Sequence, residues 1–500
     1  LLASAAHPLA AQQPPRPAPR VAKDAGAPAA SSGGAGGAGS GATLALDPHQ
    51  RLAREVYREL VEINTADSVG SVTRAAQAMA RRFRAAGFPA ADVQLLVPPG
   101  HPTKGNLVVR YRGTGGAAAG KPILLLAHLD VVAANRSDWP RDPFVLHEEN
   151  GFFLGRGVAD DKAMAAIFVA NLLRYRREGW RPQRDLVLAL TADEEGGAAN
   201  GVEFLLERHR GALDAAYAIN EGGGGVLQQG RPVLHSIQAA EKVPANFTLT
   251  ATNPGGHSSV PRPDNAIYAL ADGLARLARF RFPVALNAVT RPYFERRAEL
   301  EASSRPAMAA AMRALVADPT DSAAAATLSA DPIYASMLRT SCVATRLAGG
   351  HAYNALPQTA TANVNCRIVP TSDTAETRAT LARVLGDTAI RITETVAIRE
   401  TFGAAPEAID ATVLETVTAL TRSMWGDIPV IPTMSTGATD GRFLRAAGIP
   451  TYGVSGIFSE PGETNAHGRD EKLRVKSFYE GLEFLDQLVR RLAGAPAPRA

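Results

Sequence analysis

The stretches of this 500-residue chain that can do chemistry are short, acidic and set at the ends of apolar runs. "LLLAHLDVV" carries His128 and Asp130 two residues apart at the end of a strand-like run, a spacing that turns both side chains to one face. An aspartate beside a histidine either makes a structural pair or fixes the tautomer of a metal-bound imidazole. "LTADEEGG" ends another apolar run with Asp193, Glu194 and Glu195, three carboxylates that repel one another unless a cation or solvent relieves them. "AAYAINEGGGG" delivers Glu221 in the same way, and the turn "GRGVADDKAMAA" supplies Asp160 and Asp161 where a helix is about to start. Capping is the ordinary role of an aspartate there, because its oxygens accept from the unpaired N–H groups of the first turn. His467, in "ETNAHGRDE", can complete the set from the far end of the chain. Two histidines with several carboxylates and no thiolate suit two divalent metal ions, zinc first, with cobalt or manganese also compatible. An aspartate can bridge such ions with its two oxygens, and a glutamate that is not a ligand can take the proton from a metal-activated water.

Scattered over more than 300 residues, these groups need a sheet to align them. "HQRLAREVYRELVEI", with Leu52, Val56 and Leu60 at four-residue spacing, predicts a helix, and "TRAAQAMARRFRAAGF" predicts a second one closed by Gly87. Strand-like runs follow in "VQLLV", "NLVVRYRG", "PILLLAHLDVV" and "DLVLALTADEE", the last two separated by a helix from about Asp161 to Arg177 with Gly179 as its stop. Apolar strands alternating with helices predict an α/β fold, a mixed sheet covered by helices on both faces. Such sheets bind ligands at the carboxyl ends of their strands, where the acids lie. From Ile237 a different order begins. "ANFTLTATN", "NAIYALADGLARLARF", "SCVATRLAGG", "ATANVNCRIVP", "TAETRATLARVLG" and "AIRITETV" spell β-α-β-β-α-β, a ferredoxin-like α+β unit, interrupted at about 284–336 by an Ala/Pro-rich helical insertion. The α/β pattern resumes after residue 400. The smaller unit, 237–399, is therefore expected to be inserted between two parts of the larger one, 45–236 and 400–500.

Composition narrows the function classes. The net charge of +4, from 53 basic and 49 acidic residues without long runs of either, argues against a dedicated nucleic-acid surface. No run of 18 apolar residues predicts a membrane span. Cys342 and Cys366 lack C-x-x-C spacing, so they build neither a disulfide framework nor a thiolate zinc site. In "TANVNCRIVP" the alternation puts Cys366 on the apolar face as a buried small residue rather than a disulfide partner, and Arg367 on the polar face. "LLASAAHPLAA" reads as the remnant of a signal peptide, and the Pro/Ala/Gly/Ser-rich stretch to residue 44 as a disordered tether, which together predict a periplasmic or secreted protein.

With "HLDVV", "GRGVADDK", "DEEGG", "NEGG", "GGHSS" and "HGRDE" in this order, residues 45–495 resemble a known group of co-catalytic zinc hydrolases. That family includes aminoacylase, carboxypeptidase S, glutamate carboxypeptidase, carnosinase and succinyl-diaminopimelate desuccinylase. The resemblance implies His128, Asp160, Glu195, Glu221 and His467 as metal ligands, with Asp160 bridging. It makes Glu194 the general base and Asp130 the residue that orients His128, and leaves Asp161 and Lys162 as helix-start residues. It also implies that 237–399 is a lid and dimerisation domain, whose His257 stabilises the oxyanion, often in the neighbouring subunit's site. Asn354 and Arg367 would hold the substrate's carboxylate. "STGATDGRF", with Gly437 and Asp440, would contact the substrate, unless Asp440 and Arg442 form a local salt bridge. Two departures stand out: Ala163 replaces a common glycine, and Asn220 precedes Glu221 where aspartate is frequent. The expected function is metal-dependent hydrolysis of an amide or peptide bond beside a free carboxylate, on a small peptide or N-acyl amino acid, with a homodimer through the inserted domain. The alternatives are an aminoacylase-like amidohydrolase and, from another class, a non-catalytic binding module.

Overall fold

Asp47 opens the first helix, Pro48–Glu62, by accepting from the N–H groups of His49 and Gln50 while its own backbone N–H donates to Gln50 Oε1. This reciprocal cap satisfies groups that a helix start leaves unpaired. The computed structural model describes residues 46–395, 406 and 408–494; the expected signal remnant and tether at 1–44 and the boundary at 399/400 lie outside them.

The larger sheet is mixed, with ten strands. From one edge its order is Val93–Leu96, Asn106–Tyr111, Leu186–Thr191, Ile123–His128, Tyr217–Asn220, Thr451–Gly453, Arg231–Glu241, Gly225–Gln228 and Phe458–Ser459, and Val430–Ser435 pairs with Arg231–Glu241 off this path. Three neighbours run parallel at its centre, with His128 beside Thr191 and Leu125 beside Ile219. Their carboxyl ends therefore deliver His128, the Asp193–Glu195 turn and Glu221 to one edge of the sheet. Leu186–Thr191 and Ile123–His128 are buried throughout, as their unbroken apolar runs require of strands covered on both faces. Leu107, Leu125 and Leu188 pack with Val56, Phe168 and Leu485 on one face, and Val108, Leu124 and Val187 with Leu205 and Leu444 on the other. The helix predicted between the last two strands spans Lys162–Glu178 and ends on Gly179 in the left-handed conformation, as expected of a glycine stop.

A second, antiparallel sheet has the order Ser341–Gly349, Thr359–Ile368, Val243–Thr252 and Arg391–Glu394. Helices Ala266–Arg279 and Thr374–Leu385 contribute Leu270, Leu277, Leu381 and Leu385 to one core with Phe247, Leu249 and Val364 of its strands. Between the first helix and the outer strand come helices Thr290–Leu300, Pro306–Ala317, Ser322–Ser329 and Pro332–Leu338, where the helical insertion was expected. Their core of Phe294, Met312 and Leu328 includes Leu234 and Ile431 of the larger sheet.

One expectation fails here. Cys366 is fully buried as predicted, but it forms a disulfide with Cys342. The two face each other directly across adjacent strands. Alternation along one strand gives the face of a cysteine, whereas the residue opposite it depends on register, which the intervening loop sets.

Candidate metal centre

Asp160 is the centre of the site. His128 Nε2 lies 3.0 Å from Asp160 Oδ1 and 3.8 Å from Glu221 Oε2. His467 Nε2 lies 3.1 Å from the other oxygen, Asp160 Oδ2, and 2.9 Å from Glu195 Oε2. One aspartate thus offers one oxygen to each of two groups, and each group holds a histidine nitrogen and a further carboxylate. Asp130 aligns both halves. Its main-chain oxygen lies 3.0 Å from His128 Nδ1, and its carboxylate oxygens accept the N–H groups of Glu194 at 3.2 Å and Glu195 at 3.0 Å. A proton on Nδ1 leaves Nε2 with its lone pair facing the acids, as a metal-binding imidazole needs.

The loop carrying Asp160 hangs on Glu471, which is fully buried. One oxygen of Glu471 accepts the N–H groups of Ala159 at 2.7 Å and Asp160 at 3.1 Å; the other accepts Gly157 N–H at 3.0 Å and Arg156 Nη1 at 2.7 Å. Gly157 has φ +82°, and a Cβ there would come within 2.6 Å of Val131, so the turn admits only glycine. Sequence reading did not single out Glu471, although its place four residues after His467 in "HGRDE" was the available signal. His467 and Asp193 also hold left-handed backbone, with φ of 64° and 59°, a strain that clusters at functional sites.

The acids are far from their ordinary ionisation. Burial, then the neighbouring Asp440, Glu195 and Asp130 charges, push Glu194 up to about 8 against the pull of His128. Burial and then Asp160 raise Glu195 to about 7. Glu221 is raised well above the carboxylate range by burial first and by Asp161, Asp160 and Glu194 after it. Asp160 goes the other way: burial opposes its charge, but the hydrogen bonds from His128 and His467 hold it below its usual range. Glu195 Oε1 and Asp161 Oδ2 are buried without a hydrogen-bond partner. Ligand atoms of His128, Asp160 and Glu195 gather within reach of one another, as do those of His128, Glu194 and Glu221, and such crowded acids with orphaned oxygens are what divalent cations relieve.

Residues 124–491 match Peptidase family M20/M25/M40. The chain belongs to this family. Its 27% identity to "Probable carboxypeptidase S-like 2" of Dictyostelium discoideum extends over 77% of this chain and 74% of that protein. Identity to "Aminoacylase-1" of Pongo abelii is 24%, over 88% of this chain and 95% of that one. Among solved structures, the M20 family metallo-carboxypeptidase Sso-CP2 from Sulfolobus solfataricus shares the fold at a TM-score of 0.66 and 19% identity, covering 89% of this chain and 99% of that one. Family membership makes the chain a metal-dependent hydrolase of peptide or amide bonds.

In this M20/M25/M40 member the surroundings of several of these residues differ from what the sequence suggests. Asp161 occupies the N-cap position but makes no capping hydrogen bond; it is buried, and burial raises its pKa well above the carboxylate range. Lys162 is the first residue of the helix, as expected, with its side chain turned inward. It is fully buried, donates Nζ to the Ile63 carbonyl at 2.9 Å, and burial lowers it to about 7. Asp440 touches neither open space nor Arg442. It is buried, and its oxygens accept from Thr191 Oγ1 at 3.0 Å and Asn200 Nδ2 at 2.6 Å. Gly437 is exposed on the preceding turn, its N–H donating to Ser435 Oγ. Asn220 answers its own departure by donating Nδ2 to Thr439 Oγ1 at 3.3 Å, and Ala163 is fully buried in the helix. His257 and Asn354 come together on an exposed ribbon, where Ser258 N–H donates to the Asn354 carbonyl and His257 pairs with Ala355. Among the described residues no hydrogen bond or ion pair joins them to the acids. Arg367 is half-buried and has no carboxylate partner among the described residues; burial, then Arg442, lowers its pKa.

Proposed function

We propose that this chain hydrolyses an amide or peptide bond adjacent to a free carboxylate, as carboxypeptidases and dipeptidases do. The observation that carries the reading is the division of Asp160 between His128 and His467, with Glu194 on the same turn as Glu195. His128, Asp160 and Glu221 would hold one divalent ion and His467, Asp160 and Glu195 a second, zinc first, with cobalt or manganese compatible. Bound there, the ions would lower the pKa of a water and polarise the scissile carbonyl. Glu194 takes the proton of the attacking water on its carboxylate and returns it to the nitrogen of the leaving amine. Asp130 is a positioning residue that holds the imidazole and the Glu194 turn in one frame. A binding module would have no use for this base. N-acyl amino acids are the second substrate class, supported by the similarity to Aminoacylase-1. Turnover of a panel of dipeptides and N-acyl amino acids by the metallated protein tests both; no hydrolysis of either class would reject them.

A cation on the second sheet with no carboxylate partner among the described residues supports recognition of the substrate's carboxylate by Arg367, while Asn354 lies by His257 toward the other end of the strand Thr359–Ile368. Gly437 would approach the substrate backbone, whereas Asp440 stiffens the turn beneath. Amidated or esterified substrates are expected to react far more slowly than free acids, and Arg367→Ala to erase that difference. Equal rates for free and blocked substrates in the unaltered protein would remove the clamp.

The second sheet would be a ferredoxin-like lid and dimerisation domain. Its outer strand, Ser341–Gly349, exposes Leu347, and the adjoining helix exposes Ile267 and Tyr268. An uncovered apolar edge of this kind invites pairing with a second copy. His257, remote from its own site's hydrogen bonds, would then serve the partner's oxyanion. His257→Ala is expected to lower kcat ~100-fold or more, as the loss of one oxyanion donor does, with metal content unchanged. Mixing it with Glu194→Gln should restore activity through hybrid dimers; no rescue by a monomeric protein would put His257 to work within its own chain. The disulfide supports a periplasmic or secreted location, since such bonds persist in oxidising compartments.

A further inference from the structure

Arg442, Arg367, Lys242, Arg339 and Arg281 lie close enough for each to feel the next, and burial lowers Lys242 to about 7, so the lasting charges are those of the arginines. Arg367 feels Arg442, Lys242 feels Arg367 and Arg339, and Arg339 feels Arg281, each as like-charge repulsion secondary to burial. Among the described residues no carboxylate pairs with any of the five. Like charges in a row without counterions disfavour one another, and they are tolerated where an anion sits among them. The proposed substrate carboxylate accounts for Arg367 at one end. Nothing in the catalytic reading uses the other end, where Arg281 and Arg339 meet a groove of about 690 Å³ between the helices Ala266–Arg279 and Pro332–Leu338. Its walls include Leu277, Phe280, Phe282 and Ala335. Arg339 donates Nη2 to Ser329 Oγ at 3.3 Å, but its Nε is buried with no partner. Among the described residues Arg281 reaches only main-chain oxygens, those of Ala278 and Phe280. An apolar wall alone would leave the ligand open; two guanidiniums beside it, with no acid on them among the described residues, suit an anion on an apolar body.

We propose that this groove is a second, non-catalytic site for an amphipathic anion, with its carboxylate on Arg339 and Arg281 and its hydrocarbon chain along Leu277, Phe280, Phe282 and Ala335. Its position gives it a consequence for the rest of the molecule. Lys242 is the single residue between the strands Arg231–Glu241 and Val243–Thr252, which belong to different sheets. Its Nζ donates to the Arg339 carbonyl at 2.6 Å, so an anion on Arg339 bears directly on the joint between the sheets.

Dodecanoate titrated calorimetrically into the metallated protein tests the site, with dodecanol lacking the charge and acetate lacking the chain. Saturable binding of dodecanoate is expected, well above that of either control. Arg339→Ala should weaken it ~10-fold or more, since a lost charged hydrogen bond is worth about that much. Ala335→Trp, which fills the groove and leaves the cations in place, should abolish it, and Arg367→Ala should leave it in place. Equal binding of dodecanol overturns the proposal, as does binding that Arg367→Ala removes while Ala335→Trp does not. An altered sedimentation profile in Ala335→Trp, with no dodecanoate bound by the unaltered protein, would instead identify the groove as a contact between copies.

Discussion

Glu194→Gln is expected to retain its metal and its fold while kcat falls by about 100- to 10,000-fold, the range a positioned general base supplies. The substitution keeps shape and hydrogen-bonding capacity but removes the group that can accept a proton. The neighbours that would bind metal are untouched: Glu195 still faces His467, Asp160 still spans the two histidines, and the backbone N–H of residue 194 still donates to Asp130. Burying one fewer carboxylate among Asp440, Glu195 and Asp130 should also leave the metal-free protein at least as stable as before. Metal analysis, thermal unfolding and turnover on one preparation check all three. Near-normal turnover would move the base elsewhere, and loss of metal would make Glu194 a ligand.

Removing the metal should be as severe, and it should expose the repulsion in the site. Dialysis against a chelator is expected to abolish hydrolysis, and Asp160→Asn to lower metal content at both positions, because a single residue serves both histidines. In the stripped protein Glu194 and Glu195 titrate near 8 and 7, raised mainly by burial, from an ordinary value of 4.5. Between that ordinary value and about 8 the folded chain holds protons that the unfolded chain has released. Stability therefore falls as pH rises through this window. His467, raised to about 9 chiefly by its hydrogen bond to Asp160, acts in the same direction. Unfolding temperatures of the stripped protein should drop from pH 5 to pH 8, and re-addition of zinc should flatten the trend. Full activity after chelation with no transition metal present would reject the metal reading, whereas a flat pH profile without metal would show the acids relieved by solvent.

The residues that point at the centre were legible because their signals are local. A run of apolar residues leading to His128, Glu194 or Glu221 marks a strand end whatever surrounds it, and the left-handed stop at Gly179 needs no tertiary contact. The β-α-β-β-α-β order was legible for the same reason. What the linear pattern does not contain is which partner a polar side chain meets. At a helix start one aspartate looks like another; only the packed structure turns Asp161 inward and seals Lys162 against the Ile63 carbonyl. Asp440 reads as a loop acid until Thr191 and Asn200, more than 200 residues away, donate to it in the core.

The chain by itself determined the chemical inventory, two imidazoles and a set of carboxylates without thiolates, and the strand ends that present it, since side-chain type and apolar periodicity are properties of sequence. Tertiary structure alone decided that Asp160 gives one oxygen to each histidine, that Glu471 holds its loop, and that Cys342 meets Cys366. These depend on strand order and register, which are settled by the burial of whole faces against one another and not by any local run of residues.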